Sequence, residues 1–334
     1  MADISKYMQV SIENLARIFG VVKDSISAVS GLSVPAGGGG GGDRGIFGGG
    51  FVGISNTINY ITISSIGNAQ DFGDLTIARD ALSATSNGAS DRGIFGGGSS
   101  SLNTIEYITI SSIGDAANFG DLTEGRKWFD ATSNGTNNRG IFAGGTTGSY
   151  TNVIDYVTIS SMGDAQNFGD LTTATILIVS TSNGTNERGI FAGGHIGANT
   201  NVIEYITISS LSNAQNFGDL TVAKYGGGAT SNGTNNRGVF AGGYISDVTN
   251  IIDYITITSL GDALNFGDLT VDRRYFAATS NGTSDRGVFG AGDAAGGGGV
   301  INNIDYVTIS SIGDAEDFGD LLLTAAHIKG TSNT

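Results

Sequence analysis

The sequence predicts an all-β protein: six four-stranded antiparallel blades arranged as a propeller. Three observations carry the prediction. A strand-like heptapeptide ending in a glycine pair, RGIFAGG, stands at 139–145 and 188–194, with near copies starting at Arg44, Arg92, Arg237 and Arg286. The steps between these arginines are 48, 47, 49, 49 and 49 residues, and no ten-residue helical period interrupts them. Finally, Gly supplies 56 of the 334 residues and Pro only one, so turns rest on Gly and Asn chemistry.

Each element of the unit has its own signal. The first strand runs from LTIAR-type segments (75–79) toward TSNG. Asn-Gly is the strongest two-residue hairpin signal, because both turn positions need φ > 0. It recurs at Asn87, Asn134, Asn183, Asn232 and Asn281, and the Asn of the same TSN marker returns at Asn333, followed there by Thr334. The second strand is RGVFAGG, and the third is the (D/E/N)-Y-(I/V)-T-I run around Tyr60, Tyr107, Tyr156, Tyr205, Tyr254 and Tyr306. Both are short, rich in β-branched and aromatic residues, and bounded by Gly or Asn. The fourth is the NAQNFGDL region, its FGD starting at Phe72, Phe119, Phe168, Phe217, Phe266 and Phe318.

Spacing locates the variation. Tyr to Phe is 12 residues and Phe to Asn 15 in every unit, and Asn to the next Arg is always 5. Only Arg to Tyr varies, at 16, 15, 17, 17, 17 and 20, so length changes are confined to the connection after the glycine pair. The first unit begins at Asp43-Arg44-Gly45 without a first strand, whereas the last runs on into LLLTAAHIKGTSNT. The expectation is circular closure, with 322–334 supplying the missing strand of the blade built from 43–76 and removing open sheet edges.

Laid out this way, the unit resembles a kelch repeat: a basic residue opens the first strand, a hydrophobic run ends in Gly-Gly, and a Tyr strand and an aromatic fourth strand follow. The resemblance covers 43–334 and implies a kelch-like propeller. Phe stands at the usual Trp position in all six units, and the opening basic residue becomes Thr175 or Ala325 in two.

Antiparallel alternation puts connections 1–2 and 3–4, nearly constant in sequence, on one face of the disc. The variable connections 2–3 and 4–1 fall on the other. The start of the inner strand varies there as well: RDALS, RKWFD, TILIV, KYGGG, RRYFA and AAHIK. Loops on a rigid scaffold are where binding resides. The expected ligand contacts at the mouth of the central channel are Lys127, Trp128, Phe129, Tyr225, Arg274, Tyr275 and Phe276. Drift in unconstrained loops is the competing reading.

The recurring Arg residues and the Asp of each FGD (Asp74, Asp121, Asp170, Asp219, Asp268, Asp320) read as structural, since a residue needed once per blade ties strands or caps turns in that blade. No catalytic residues, metal site or cofactor are expected. Cys is absent, His195 and His327 lie in different units, and no HExxH, GxSxG, P-loop or EF-hand pattern occurs. Asn134, Asn183, Asn232 and Asn281 match glycosylation acceptors, but hairpin turns explain them without sugar. A net charge of −15 argues against nucleic acid. No apolar run reaches the roughly eighteen residues of a membrane span, and the start lacks a signal-peptide pattern.

Residues 1–36 carry a shorter, 11-residue repeat with apolar columns Ile4, Leu15, Ile26; Tyr7, Ile18, Val29; and Val10, Val21, Leu32. The period suits a gently coiled helix, whereas the recurring Gly20 and Gly31 favour short turns, and both remain open. These columns need a partner surface or sister chains, and six glycines at 37–42 form a tether to 43–334. The layout of anchor, tether and disc, with "ARIFGV" and YITISS-type wording, resembles virion structural proteins of tailed bacteriophages. The resemblance implies a non-enzymatic tail, neck or capsid-attached protein, assembled in a host cytoplasm. It would contact other virion proteins through 1–36, or form a homo-oligomer, and display the propeller to a host-surface glycan or protein. A cellular kelch-type scaffold is the alternative, and a carbohydrate-active propeller enzyme a lesser one.

Overall fold

RGIFG at Arg44–Gly48 pairs antiparallel with TINYIT at Thr57–Thr62, which pairs in turn with QDFGD at Gln70–Asp74. Five further copies of this arrangement follow. Each takes a short first strand against its RGxF strand: Ser83–Ser86, Asp130–Thr132, Val179–Thr181, Gly228–Thr230 and Ala277–Thr279. The computed structural model describes residues 43–86, 91–133, 138–182, 187–231, 236–280, 284–295 and 299–332. The anchor columns in 1–36, the tether at 37–42 and the Asn-Gly turns, with their glycosylation-type asparagines, lie outside the described residues.

The first blade takes its inner strand from the far end of the chain. Lys329–Ser332 pairs antiparallel with Arg44–Gly48, Thr331 opposite Ile46 and Lys329 opposite Gly48. The six first strands then touch one another in a closed circuit around the axis. The protein is a six-bladed β-propeller sealed as its repeat arithmetic predicts. The longest variable connection differs from the loop its glycines suggest. In the sixth blade, where Ala291-Gly292 replaces the glycine pair, the second and third strands continue past it as Arg286–Ala294 and Gly299–Thr308, which carries Asp293 into register with Arg274.

Stacking explains why RGxF is buried along nearly its whole length rather than on alternate residues: each blade is sandwiched between two others. Every hydrophobic cluster spans a blade boundary; one joins Ile46, Ile58 and Phe72 to Leu82, Phe95 and Ile108. The glycine of FGD has a specific task. The third and fourth strands slip register there, with Ile58 opposite Gly73 but Asn59 opposite Asp71, a bulge that recurs in all six blades. A Cβ on Gly73 would stand 2.6 Å from the backbone of Gly114 in the next blade, so only glycine permits this approach.

The recurring Arg residues tie strands within their own blade, as expected, and reach the next blade as well. Arg44, Arg92, Arg139, Arg188, Arg237 and Arg286 each lie over the Tyr of their own third strand. Each donates from Nη1 to a carbonyl of the following blade at 2.7–2.9 Å: Ile110, Ile159, Ile208, Ile257, Ile309 and, across the closure, Ile63. The FGD aspartates contribute backbone. Asp74 N–H donates to the Asp115 carboxylate of the next blade at 3.0 Å, and Ala116 N–H returns to the Asp74 carbonyl at 2.8 Å.

Candidate functional site

The two variable sets do converge. In each blade the residue after the glycine pair meets the second residue of the variable inner-strand start. Phe51 bridges Ala326, Thr146 bridges Lys127, His195 bridges Ile176 and Tyr244 bridges Tyr225, while Asp293 pairs with Arg274 and Ser99 N–H donates to Asp80. The third residue of that start turns inward. Ala81, Trp128, Leu177, Gly226, Tyr275 and His327 all have φ between 52° and 69°. Their N–H groups donate in a closed circle, each to the preceding blade's ring carbonyl at 2.6–3.1 Å, with Ala81 reaching His327 across the chain closure.

Positive φ costs about 1 kcal/mol or more for a residue with a side chain. Five of the six ring members bear that cost, and the circle of hydrogen bonds holds them. The sixth is glycine for a second reason: a Cβ on Gly226 would lie 2.6 Å from the Tyr275 ring, which leans over it. The ring narrows the channel mouth. The void it bounds, lined also by Leu82, Phe129, Ile178, Phe276 and Ile328, holds about 30 Å³, and a further void of about 50 Å³ lies among Asp130, Ser180 and Lys329 of the inner strands. Anything bound here lies across the mouth.

Across that mouth runs an arc of aromatic rings. Tyr150 stands edge-on to His195 at 6.2 Å, His195 to Tyr225 at 5.6 Å, and Tyr225 lies 5.3 Å from Tyr244 and 6.3 Å from Tyr275. Tyr275 stacks on His327 at 4.1 Å. Arg274 covers both Tyr244 and Tyr275 while its Nε donates to Asp293 at 3.1 Å. Burial lowers the His327 pKa, favouring the neutral imidazole, and burial raises that of the Tyr275 hydroxyl against the opposing pull of Arg274. The surface therefore offers flat apolar rings, the Tyr275 hydroxyl, the His327 imidazole and a paired guanidinium.

Of the residues expected here, Tyr225, Arg274 and Tyr275 form the middle of the arc, and Trp128 sits on the ring with the Lys127 ammonium 4.4 Å from its centre. Phe129 and Phe276 are corrections. Each is 1% exposed and packs beneath the ring against Phe142 and Phe289. At that position of the inner strand the side chain turns into the blade interface. Tyr150, His195, Tyr244 and His327 were not singled out as contacts. For His195 and Tyr244 the signal is the residue following the glycine pair, which pairing carries to the rim; Tyr150 lies further along its variable connection, and His327 is the third residue of a variable inner-strand start.

Under the same loops lies a row of buried charges. The first residue of the variable start meets the acid before the repeat Tyr: Arg79 with Glu106, Arg126 with Asp155, Lys224 with Asp253 and Arg273 with Asp305, at 2.8–2.9 Å. Burial lowers the pKa of all four cations, with the facing carboxylates opposing it. Two blades break the pattern. The first has Ala325 opposite Asn59 and is neutral. The fourth has Thr175 opposite Glu204, a buried carboxyl whose pKa burial pushes up to about 7. Both leave a cavity there, about 190 Å³ in the first blade and about 50 Å³ in the fourth.

Comparison with protein-family models and with curated proteins finds no match to this sequence. The kelch and phage resemblances rest on the motifs quoted above, and the fold on its own geometry.

Proposed function

We propose that the chain is a non-enzymatic binding propeller of a phage virion, docked through 1–36 and presenting its variable face to a host-surface glycan. The observation that carries the binding reading is the aromatic arc laid across the narrowed mouth of the channel. Sugar rings stack on flat aromatic faces, while the tyrosine hydroxyls and Arg274 suit hydroxyl partners. A floor of backbone and rings, with Asp293 engaged by Arg274, favours holding a ligand over cleaving one. The virion setting is supported by the sequence resemblance.

The test is binding of the purified full-length protein to host surface polysaccharides, with Tyr225→Ala and Tyr275→Ala variants whose melting is checked. Loss of affinity by about tenfold or more in folded variants is expected. Unchanged affinity would move the ligand elsewhere. Mass spectrometry of purified particles tests the setting; absence of the chain from them would favour the cellular scaffold. One observation speaks for that second reading. Ile66, Ile113, Met162, Leu211, Leu260 and Ile312 put one exposed apolar side chain per blade on the constant face, each 53–59% exposed. Such a ring suits a protein partner.

A further inference from the structure

We propose that the fourth blade binds a monovalent cation of potassium or ammonium size in the cavity beside Glu204, where sister blades place the charged end of Arg or Lys. The argument is internal to the molecule. In the fifth blade the Lys224 ammonium lies 2.9 Å from Asp253 and donates to the Ile251 and Phe240 carbonyls at 3.2 and 3.4 Å. In the third, Arg126 reaches Asp155 and donates from Nη1 to the Gly144 and Val153 carbonyls at 3.1 and 2.8 Å.

The fourth blade keeps the receiving half of this arrangement. Glu204 occupies the acid position, 6% exposed, and accepts from Thr172 N–H and Thr172 Oγ1 just as Glu106 accepts from Thr76 and Asp305 from Thr270. Gly193 and Val202 stand where Gly144 and Val153 stand, and both line the cavity. Thr175 replaces the basic residue. Its hydroxyl donates to the Thr173 carbonyl at 2.9 Å, so it gives Glu204 no counter-charge.

A buried carboxylate without a counter-ion is costly, and it either takes a proton or finds a cation. One carboxylate among neutral hydroxyl and carbonyl oxygens matches a singly charged ion. Calcium would want six to eight oxygens, commonly with several carboxylates. No cluster of three or more His, Asp or Glu residues suited to a metal occurs among the described residues. No other ionisable side chain lines the cavity. The first blade is the natural control, since it also lacks the basic residue but presents the amide of Asn59.

The experiment is thermal unfolding of the full-length protein in equimolar chlorides of potassium, ammonium, sodium and tetramethylammonium, at about pH 8.5, where Glu204 is ionised. Potassium and ammonium should raise the midpoint by about 2–4 °C over tetramethylammonium. Glu204→Gln should abolish the difference. Thr175→Lys, which builds the ammonium into the chain, should raise the midpoint in every salt and also abolish it. Equal midpoints in all four salts, or an ion-specific shift that survives in Glu204→Gln, overturns the proposal. Isothermal titration with potassium chloride gives a second readout: heat in the wild type and none in Thr175→Lys supports the site, and equal traces sink it.

Discussion

The constant and variable faces of the disc share the same six blades and differ in what repeats. On the constant side the same contact is made six times: an Arg to the next blade's carbonyl, a turn Asp or Asn to an FGD backbone N–H. On the variable side the backbone is also sixfold, with its circle of ring hydrogen bonds, but the side chains it carries are Ala, Trp, Leu, Gly, Tyr and His. The backbone contact persists through all six because a peptide N–H and carbonyl are present whatever the residue. The difference teaches that the scaffold is held by groups indifferent to sequence where sequence is free, and by side chains where it is constant.

The largest test of that division is the closure, on which both circles depend. Removing 322–334 takes away the inner strand of the first blade, the His327 link of the ring and Lys329, which reaches Asp130 across the channel at 2.8 Å. A melting midpoint lower by about 10 °C or more, or association through the opened edge, is expected by calorimetry and light scattering. A monomer that melts unchanged would refute the sealed ring.

Next in size are the charges beneath the variable loops. Arg126→Ala strands Asp155 with no cation and should cost about 3–5 kcal/mol, measured by denaturant unfolding. Adding Asp155→Asn copies the Ala325 and Asn59 arrangement of the first blade and should restore about half or more of the loss. Additive costs would show that the pair is uncoupled. Glu204 gives the opposite case. Its carboxyl titrates near 4.5 when unfolded and at about 7 in the fold, because burial disfavours the charge. The native state therefore holds the proton more tightly. The contribution is fully present below about pH 4.5, falls as pH rises, and is gone above about pH 7. In tetramethylammonium buffer the decline should amount to about 3 kcal/mol at most, and Glu204→Gln should flatten it. An identical slope in both proteins would assign the titration elsewhere.

Much of this was legible in the sequence and some was not, for physical reasons. Blade number, strand order and closure follow from spacings, because the strand markers recur at fixed distances in all six units and the tail carries the strand that the head lacks. The reach of the Arg residues into the next blade was not legible: Arg44 and Ile110 are a unit apart, and period alone cannot say whether a repeated residue looks within its blade or beyond it. The variable face was readable as a face, since alternation sets it. Which side chains on it point outward depends on the positive φ at the ring, which sends Trp128 and Tyr275 to the mouth and their neighbours Phe129 and Phe276 into the core. The charge row was visible only in halves, as an opening basic residue and a varying acid before Tyr. Their pairing needed coordinates, as did the vacancy left by Thr175.

The smallest effect on stability is expected at the ends of the arc, and there the comparison of faces is sharpest. Tyr150 is 42% exposed and meets the arc edge-on at His195, and Lys127 holds its ammonium 4.4 Å from the centre of the Trp128 ring. Tyr150→Ala and Lys127→Ala should each change unfolding free energy by no more than about 0.5 kcal/mol, as surface substitutions do. Their mirror on the constant side, Arg92→Ala, removes a charged hydrogen bond to Ile159 and the cover over Tyr107, and should cost about 1.5–3 kcal/mol. If the variable face is a binding surface, ligand affinity will respond in the reverse order, strongly to Tyr150→Ala and weakly to Arg92→Ala. Drift in unconstrained loops predicts no response to either. Stability and affinity measured on the same three variants separate the two explanations, because a scaffold residue moves the first quantity and a rim residue the second.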